Sequence, residues 1–140
     1  MVLSPHGGAL KQMLPIFKSG LGGQVGSGDQ YISWIAIDDL MRVINEVIQQ
    51  THLAGPLNVV TPYPVTNREM TKILGHVLHR PTFLSIPAFV VNLLFGELGK
   101  EVLLSSARVE PQKLEEIGFQ FNYPHLEEAL RALLNKSPSL

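Results

Sequence analysis

Apolar positions first recur in a helical rhythm. Ala9, Leu10, Met13, Leu14 and Phe17 lie three or four residues apart, the spacing of one helix face. Pro15 falls inside the pattern, where it removes an N–H and crowds the preceding turn. A short or kinked helix ending near Ser19-Gly20 is predicted. Tyr31 to Ile37, YISWIAI, is rich in β-branched and aromatic residues and reads as a strand. Its alternation puts Ile32, Trp34 and Ala36 on one face and Tyr31, Ser33, Ile35 and Ile37 on the other. Asp38 is placed to cap the next helix, with Asp39 as a first-turn carboxylate favoured by the helix dipole. That helix carries Leu40, Val43, Ile44, Val47 and Ile48 as its apolar stripe.

Gly55-Pro56 reads as a turn, Leu57 to Val60 as a short strand, and Thr61-Pro62-Tyr63-Pro64 as an extended loop. Thr66-Asn67-Arg68-Glu69 is a capping box, with Val65 and Met70 as its hydrophobic staple. Met70, Ile73, Leu74, Val77 and Leu78 continue that helix, and Pro81 lies just past it. Pro87 suits the first turn of a helix through Phe95. Gly96 marks a bend before Glu97 to Leu104. Glu110-Pro111 starts a further helix that Gly118 ends, Phe119 to Phe121 is extended, and Pro124 opens a last helix through Leu126, Ala129, Leu130, Leu133 and Leu134. The tail Ser137-Pro138-Ser139 is expected to fray. Two or three short strands beside five or six helices are too few for a doubly wound sheet. The pattern fits either a mostly helical domain with a small sheet or the C-terminal part of a larger α/β protein.

Composition narrows the partners. The chain has 140 residues, 45% hydrophobic and 16% charged, where about a quarter charged is usual. Part of the surface is therefore expected to be covered, by a partner chain, a lipid surface or the rest of a longer protein. The net charge of −1 favours neither nucleic acid nor an anionic membrane. The absence of cysteine rules out disulfides and thiolate metal sites and agrees with a cytoplasmic setting. The longest apolar run, Ala88 to Phe95, is broken by Asn92 and far too short for a bilayer. MVLSPHGG has no charged region and no apolar core of a secretory signal. Met1-Val2-Leu3 reads instead as the end of a buried strand.

Candidate chemistry is sparse. Gly20, Gly23 and Gly26 fall on a G-x-x-G-x-x-G spacing, and Asp38 and Asp39 follow where a ribose-binding acid would stand. A dinucleotide loop, however, follows a strand and opens a helix. GLGGQVGSG follows a helical segment and runs into a strand, so it reads as a joint. His76 and His79 lie three apart on one helix, but no local residue completes a metal site. His6, His52 and His125 are isolated. Asp38 and Asp39, being adjacent, point in different directions and read as helix-start carboxylates. Ser4, Ser33 and Ser85 lack a nucleophile elbow. Trp34 reads as core, with a pocket wall as the alternative.

The run VLSPHGGALKQMLPIFKSGLGGQVGSGDQYISWIAIDDL resembles the middle-to-late portion of the extended (atypical) short-chain dehydrogenase/reductases. More narrowly, it is similar to the NAD-dependent epimerase/dehydratase-like subfamily known as sugar-nucleotide epimerase-like or, on older labels, cell-division-inhibitor-like. The likeness continues through GPLNVVTPYPVTNREMTKIL. It then enters that subfamily's C-terminal helical domain of unknown function, with RPTFLSIPAFVVNLLFGE, LLSSARVEPQKLEEIGFQFNYP and LEEALRALL.

The resemblance implies an α/β Rossmann-type parent, of which this chain is the mostly helical C-terminal portion with two or three short strands. It implies residues 1–80 as the C-terminal part of the Rossmann and substrate-binding region, 81–136 as the helical domain, and 137–140 as a tail. The family's glycine fingerprint and catalytic Tyr-x-x-x-Lys lie in an N-terminal half. Here Tyr31 is followed four later by Ile35, Tyr63 by Asn67 and Tyr123 by Glu127, so no catalytic residue is assigned. The parent would use NAD or NADP, and the chain alone would hold neither. Ser4, Pro5, Gly7 and Gly8 match the loop at the nicotinamide end. Phe17, Gln30 and Trp34 match positions that could face an unknown small-molecule substrate, across a cleft bordered by the loop after Leu3 and the Gln30-to-Trp34 strand. Expected partners are the N-terminal half or a self-association partner. The alternative is a non-catalytic binding or regulatory module acting through an apolar helical face. One departure stands out. Sugar-nucleotide epimerases carry an arginine two residues after the glutamine of this strand, and here that position is Ile32.

Overall fold

The computed structural model describes residues 1–50, 57–104, 106 and 108–135. In chain order the elements are β1 (Val2–Leu3), α1 (Gly8–Lys18), β2 (Gly23–Val25), β3 (Tyr31–Ile32), β4 (Ile35–Ala36), α2 (Ile37–Gln49), β5 (Val65–Thr66), α3 (Asn67–Leu78), β6 (Leu84–Ile86), α4 (Ala88–Leu104), α5 (Gln112–Glu116) and α6 (Leu126–Asn135). The described chain is mostly helical, with strands of only two or three residues. The strands pair two by two: β1 with β4 in parallel, β2 with β6 in parallel, and β3 with β5 antiparallel.

YISWIAI is not one strand. It breaks at Ser33-Trp34 because its two ends serve different sheets, Tyr31–Ile32 pairing with β5 and Ile35–Ala36 with β1. The break also removes the alternation, and Ile32 through Ala36 are all buried. Leu57–Val60 forms no strand. Leu57 and Val59 instead pack beside Ile35, Val43 and Leu114. The turn expected at Gly55-Pro56, His52 and the tail Ser137-Pro138-Ser139 lie outside the described residues.

Several helix ends follow their local chemistry. Thr66 caps α3, its Oγ1 accepting from the Glu69 N–H at 3.1 Å while its own O–H donates to Glu69 Oε1 at 3.2 Å. His79 closes α3 in the left-handed region at φ 56°. Gly96, at φ 71°, bends α4 where the sequence placed a bend. α1 runs through Pro15 to Lys18. Leu10, Met13, Leu14 and Phe17 pack with Leu3, Trp34, Met70, Leu74, Val91 and Leu130 in one core. That core draws on both stretches distinguished in the sequence, since α6 packs on α3 and β6 pairs with β2.

α2 departs furthest from expectation. Its N-cap is Ala36, with no side-chain cap, and Asp38 lies in the first turn. Asp39 is fully buried. Its Oδ1 accepts from the Asn122 N–H at 3.0 Å and from Arg42 Nη1 at 2.9 Å, and its Oδ2 accepts from the Tyr123 N–H at 2.9 Å. Arg42 Nη1 also donates to Gln120 O at 2.6 Å, and its guanidinium lies 5.0 Å from the centre of the Phe119 ring. Asp39 therefore clasps the 119–123 segment to α2. Its register with Val43 and Val47, four and eight residues on, marks the inward face. Replacing Asp39 with Ala leaves two part-buried amides without their acceptor and takes the ion-pair partner from Arg42, which keeps only Gln120 O. The expected loss is about 3 kcal/mol of stability, measured by urea unfolding. Asp38→Ala, at the half-buried first-turn position, is expected to stay within about 1 kcal/mol.

Candidate functional site

Ser4 to Gly8 leaves the carboxyl end of β1 and enters α1. Ser4 bridges Gly7, and Ser4 Oγ accepts from the His6 N–H at 3.2 Å, which folds the loop tightly. Gly7 is the extended N-cap of α1, without a side-chain cap. Gly8 has φ 71°, a conformation open to glycine at little cost. A Cβ on Gly7 would meet nothing within 4 Å. The loop thus presents bare backbone and uncapped first-turn amides of a helix beside a parallel strand pair. Leu3 is paired with Ala36, so β4 and the start of α2 border the loop.

Gln30 stands at the other end of the 30–36 segment. Its Nε2 donates to Val25 O at 3.2 Å, and its carbonyl accepts from the Asn67 N–H at 2.9 Å. Phe17 and Trp34 both lie in the core, at 3% and 0% exposure. Phe17 lines a small, partly open recess of about 20 Å³ with Met13, Val25, Asn67, Thr71 and Phe95, room for about one water. Trp34 Nε1 donates to Tyr63 O at 3.0 Å. Tyr63 stacks on His125 with ring centres 4.6 Å apart, joining the Pro62–Pro64 loop to the start of α6. Ile32 is 4% exposed and paired with Val65, so an arginine there would bury its charge in the core. Of the predicted positions, the structure brings Ser4, Pro5, Gly7 and Gly8 together in one loop. Phe17, Gln30 and Trp34 are placed apart from it.

The glycine run is more ordered than a joint. Its middle, Gly23–Val25, is β2, and Val25 N–H donates to the buried Asn67 Oδ1 at 2.7 Å. Gly20, Gly26 and Gly28, at φ 84°, 58° and 74°, form the turns around it. Pairing with β6 requires a bare position at Gly23, because a Cβ there would stand 1.7 Å from Leu84 O. His76 faces Glu127 at 3.7 Å, on the surface between α3 and α6.

Residues 86–133 match the model of a family described as Domain of unknown function (DUF1731). Over 93% of its length the chain is 46% identical to Epimerase family protein Mb2239 of Mycobacterium bovis, of which it covers 43%. It is 38% identical over 96% of its length to Epimerase family protein SDR39U1 of Homo sapiens, covering 46% of that protein. A structure of the human protein with NADPH superposes with a TM-score of 0.88 at 36% identity, covering 96% of this chain and 46% of that one. Over nearly its whole length the chain is therefore similar to the C-terminal part of proteins named as epimerase family proteins. It spans less than half the length of these relatives. A UDP-glucose 4-epimerase of Thermus thermophilus, solved with NAD, matches with a TM-score of 0.63 at 20% identity and shares the fold. The Rossmann-type α/β class expected from the sequence therefore stands.

Within this epimerase-like chain, an open recess of about 350 Å³ lies between α2 and the segment after α5, lined by Arg42, Glu46, Gly118, Phe119 and Gln120. Sequence reasoning missed Arg42 and Asp39 as a clasp, although Asp39 sits in helical register with Val43. No group of three or more histidine, aspartate or glutamate side chains suited to a metal occurs among the described residues. No described helix is long and apolar enough to cross a membrane. Burial lowers the pKa of the Met1 amine, which donates to Ser33 O at 2.8 Å.

Two glycine substitutions separate the roles in GLGGQVGSG. Gly23→Ala forces β2 off β6, with an expected loss of about 3 kcal/mol. It should also abolish hydrogen-exchange protection of the Gly26 amide, which donates to Ile86 O. Gly26→Ala meets open space and is expected to lose only about 1 kcal/mol from its left-handed backbone.

Proposed function

We propose that this chain is the substrate-binding half of an NAD(P)-dependent oxidoreductase of the nucleotide-sugar-epimerase-like kind, and that alone it transfers no hydride. The observation that carries this is the parallel β1–β4 pair opening at its carboxyl end into Ser4–Gly8. Its fold is also close to that of a protein solved with NADPH. In open α/β sheets, ligands settle outside the carboxyl ends of the strands. The bare Gly7 and Gly8 backbone permits close approach, and the uncapped first turn of α1 offers amide hydrogens to an acceptor.

A bound nicotinamide would supply the hydride chemistry. The contribution of these residues is to hold and orient. Ser4 and Pro5 fix the path from β1, and Gly7 and Gly8 keep side chains out of the way. No Tyr-x-x-x-Lys occurs in the sequence, so proton transfer at a carbinol oxygen has no donor here. Localisation in the cytoplasm is part of the same proposal.

A specific observation favours a second reading, a non-catalytic binding module. Met41, Ile44 and Ile48 form an outward stripe on α2, with Ile48 73% exposed. Phe83, Phe89 and Leu93 are also exposed. Surfaces of this kind mark a contact with another polypeptide, whether the remainder of an epimerase-like protein or a second copy.

Three measurements bear on these readings. NADPH fluorescence titration of the 140-residue chain is expected to show no saturable binding. In-frame genomic sequence upstream of Met1 is expected to encode a glycine fingerprint and a Tyr-x-x-x-Lys; a frame lacking both would end the oxidoreductase reading. Sedimentation of the chain is expected to show self-association that the double variant Ile44→Lys/Ile48→Lys reduces. A monomer of high thermal stability would count against covered apolar surface.

A further inference from the structure

β6 is open to solvent along one side. Gly26 N–H donates to Ile86 O at 2.9 Å, so Ile86 and, two residues back, Leu84 turn their backbone groups toward β2. Backbone direction alternates along a strand, and Ser85 therefore points its N–H and C=O to the opposite edge. No strand pairs with that edge among the described residues, and Phe83, Leu84 and Ser85 are all exposed. The outer edge of β2 is closed instead, because Val25 N–H donates to the buried Asn67 Oδ1 at 2.7 Å.

The surface around the open edge is apolar. Phe83 is 85% exposed, and Phe89 and Leu93, one turn apart on α4, are 68% and 79% exposed. From Pro81 to Phe95 the sequence carries no aspartate, glutamate, lysine, arginine or histidine. Exposed edges are commonly guarded by a charged side chain or a bulge. Here the strand is short and lies between Pro81 and Pro87. Neither proline has an N–H to give, which confines pairing to residues 82–86 and leaves both backbone groups of Ser85 available at the centre.

We propose that β6 pairs antiparallel with β6 of a second copy of this chain, about a two-fold axis at Ser85. The two Ser85 residues then exchange both backbone hydrogen bonds, and Leu84 of each copy faces Ile86 of the other. Two features single out a second copy as the occupant. A two-fold contact sets a surface against itself, so a charge beside the axis would meet its like; this stretch has none. The contact also closes. Asn67 occupies the outer edge of β2 in each copy, so the sheet runs β2, β6, β6, β2 and adds no further strand. The inference rests on the binding-module reading, for which it names the partner and the surface, and it is independent of the oxidoreductase reading.

Sedimentation velocity and amide hydrogen exchange of the 140-residue chain, each over a range of concentrations, test this pairing. The expected result is a monomer–dimer equilibrium in which the Ser85 amide passes from fast to slow exchange as the dimer forms. The Gly26 amide, already bonded to Ile86 O, is expected to exchange slowly throughout. Ser85→Pro removes an N–H that β2 does not use and is expected to weaken the dimer about ten-fold or more. Phe83→Lys, which places a charge in the contact, is expected to do the same, and Ser85→Ala to change nothing. Ile44→Lys/Ile48→Lys, on a separate element, is expected to trim larger assemblies and keep the Ser85 protection. Far-UV circular dichroism checks that each variant keeps the fold; if Ser85→Pro does not, Phe83→Lys and the exchange of the unaltered chain decide. A monomer at every concentration would overturn the proposal and leave the edge to another polypeptide. A dimer with fast Ser85 exchange, or one unaffected by both Ser85→Pro and Phe83→Lys, would overturn it too. Loss of association and of Ser85 protection together in the α2 variant would place the contact on α2 instead. The upstream sequence decides the oxidoreductase reading whichever way the edge behaves.

Discussion

The Asp39 carboxylate takes two consecutive backbone amides and a guanidinium inside a fully buried setting. A lone charge in such a place would be prohibitive, so it persists only because Asn122, Tyr123 and Arg42 surround it together. Those bonds fix the 119–123 segment on α2. Phe119 and Phe121 then pack with Leu40 and Val47 around Ile35, Val43 and Leu114. Tyr123 continues the line into the larger core, and His125 meets Tyr63 at the head of α6. From there Leu126, Ala129, Leu130 and Leu133 settle with the same core as Met70 and Leu74. The helical C-terminal region and the strand pairs are consequently parts of one packed body.

That body explains how segments so short of regular structure keep their place. β1 has two residues and β4 has two, too few to be stable as an isolated sheet. Leu3 of β1 and both residues of β4 are buried, as is Trp34, and α1 and α2 pack against β1. The Ser4–Gly8 loop borrows its rigidity from that enclosure. Ser106 and Val109 are tied to the 31–33 stretch through the hydroxyls of Ser106 and Ser33.

Helices were legible from the chain because their causes are local. The Thr66–Glu69 box, the Gly96 bend and the stripes of α3 and α6 each depend on neighbours within about a turn. The strands were harder. YISWIAI has the composition of one strand, yet its division at Ser33-Trp34 depends on partners at Met1–Leu3 and Val65–Thr66, which no local pattern reveals. Asp39 was misjudged for a related reason. A carboxylate at a helix start has a sufficient local explanation in the dipole, and the amides that claim it lie more than eighty residues away. The glycine run shows a third case. Its spacing imitated a phosphate loop, while Gly23 is required by the close passage of the Leu84 backbone. Family resemblance supplied what local pattern could not, namely the likeness to the C-terminal part of epimerase family proteins.

The span between Asp39 and its acceptor-starved partners sets an order of events during synthesis. Asn122 and Tyr123 lie 83 and 84 residues further along, so they leave the ribosome long after α2 has had time to form. Closing so distant a contact carries the entropy of a long loop, which favours late formation. The buried aspartate thus ties the enclosure of α2 to residues that are made more than eighty positions later.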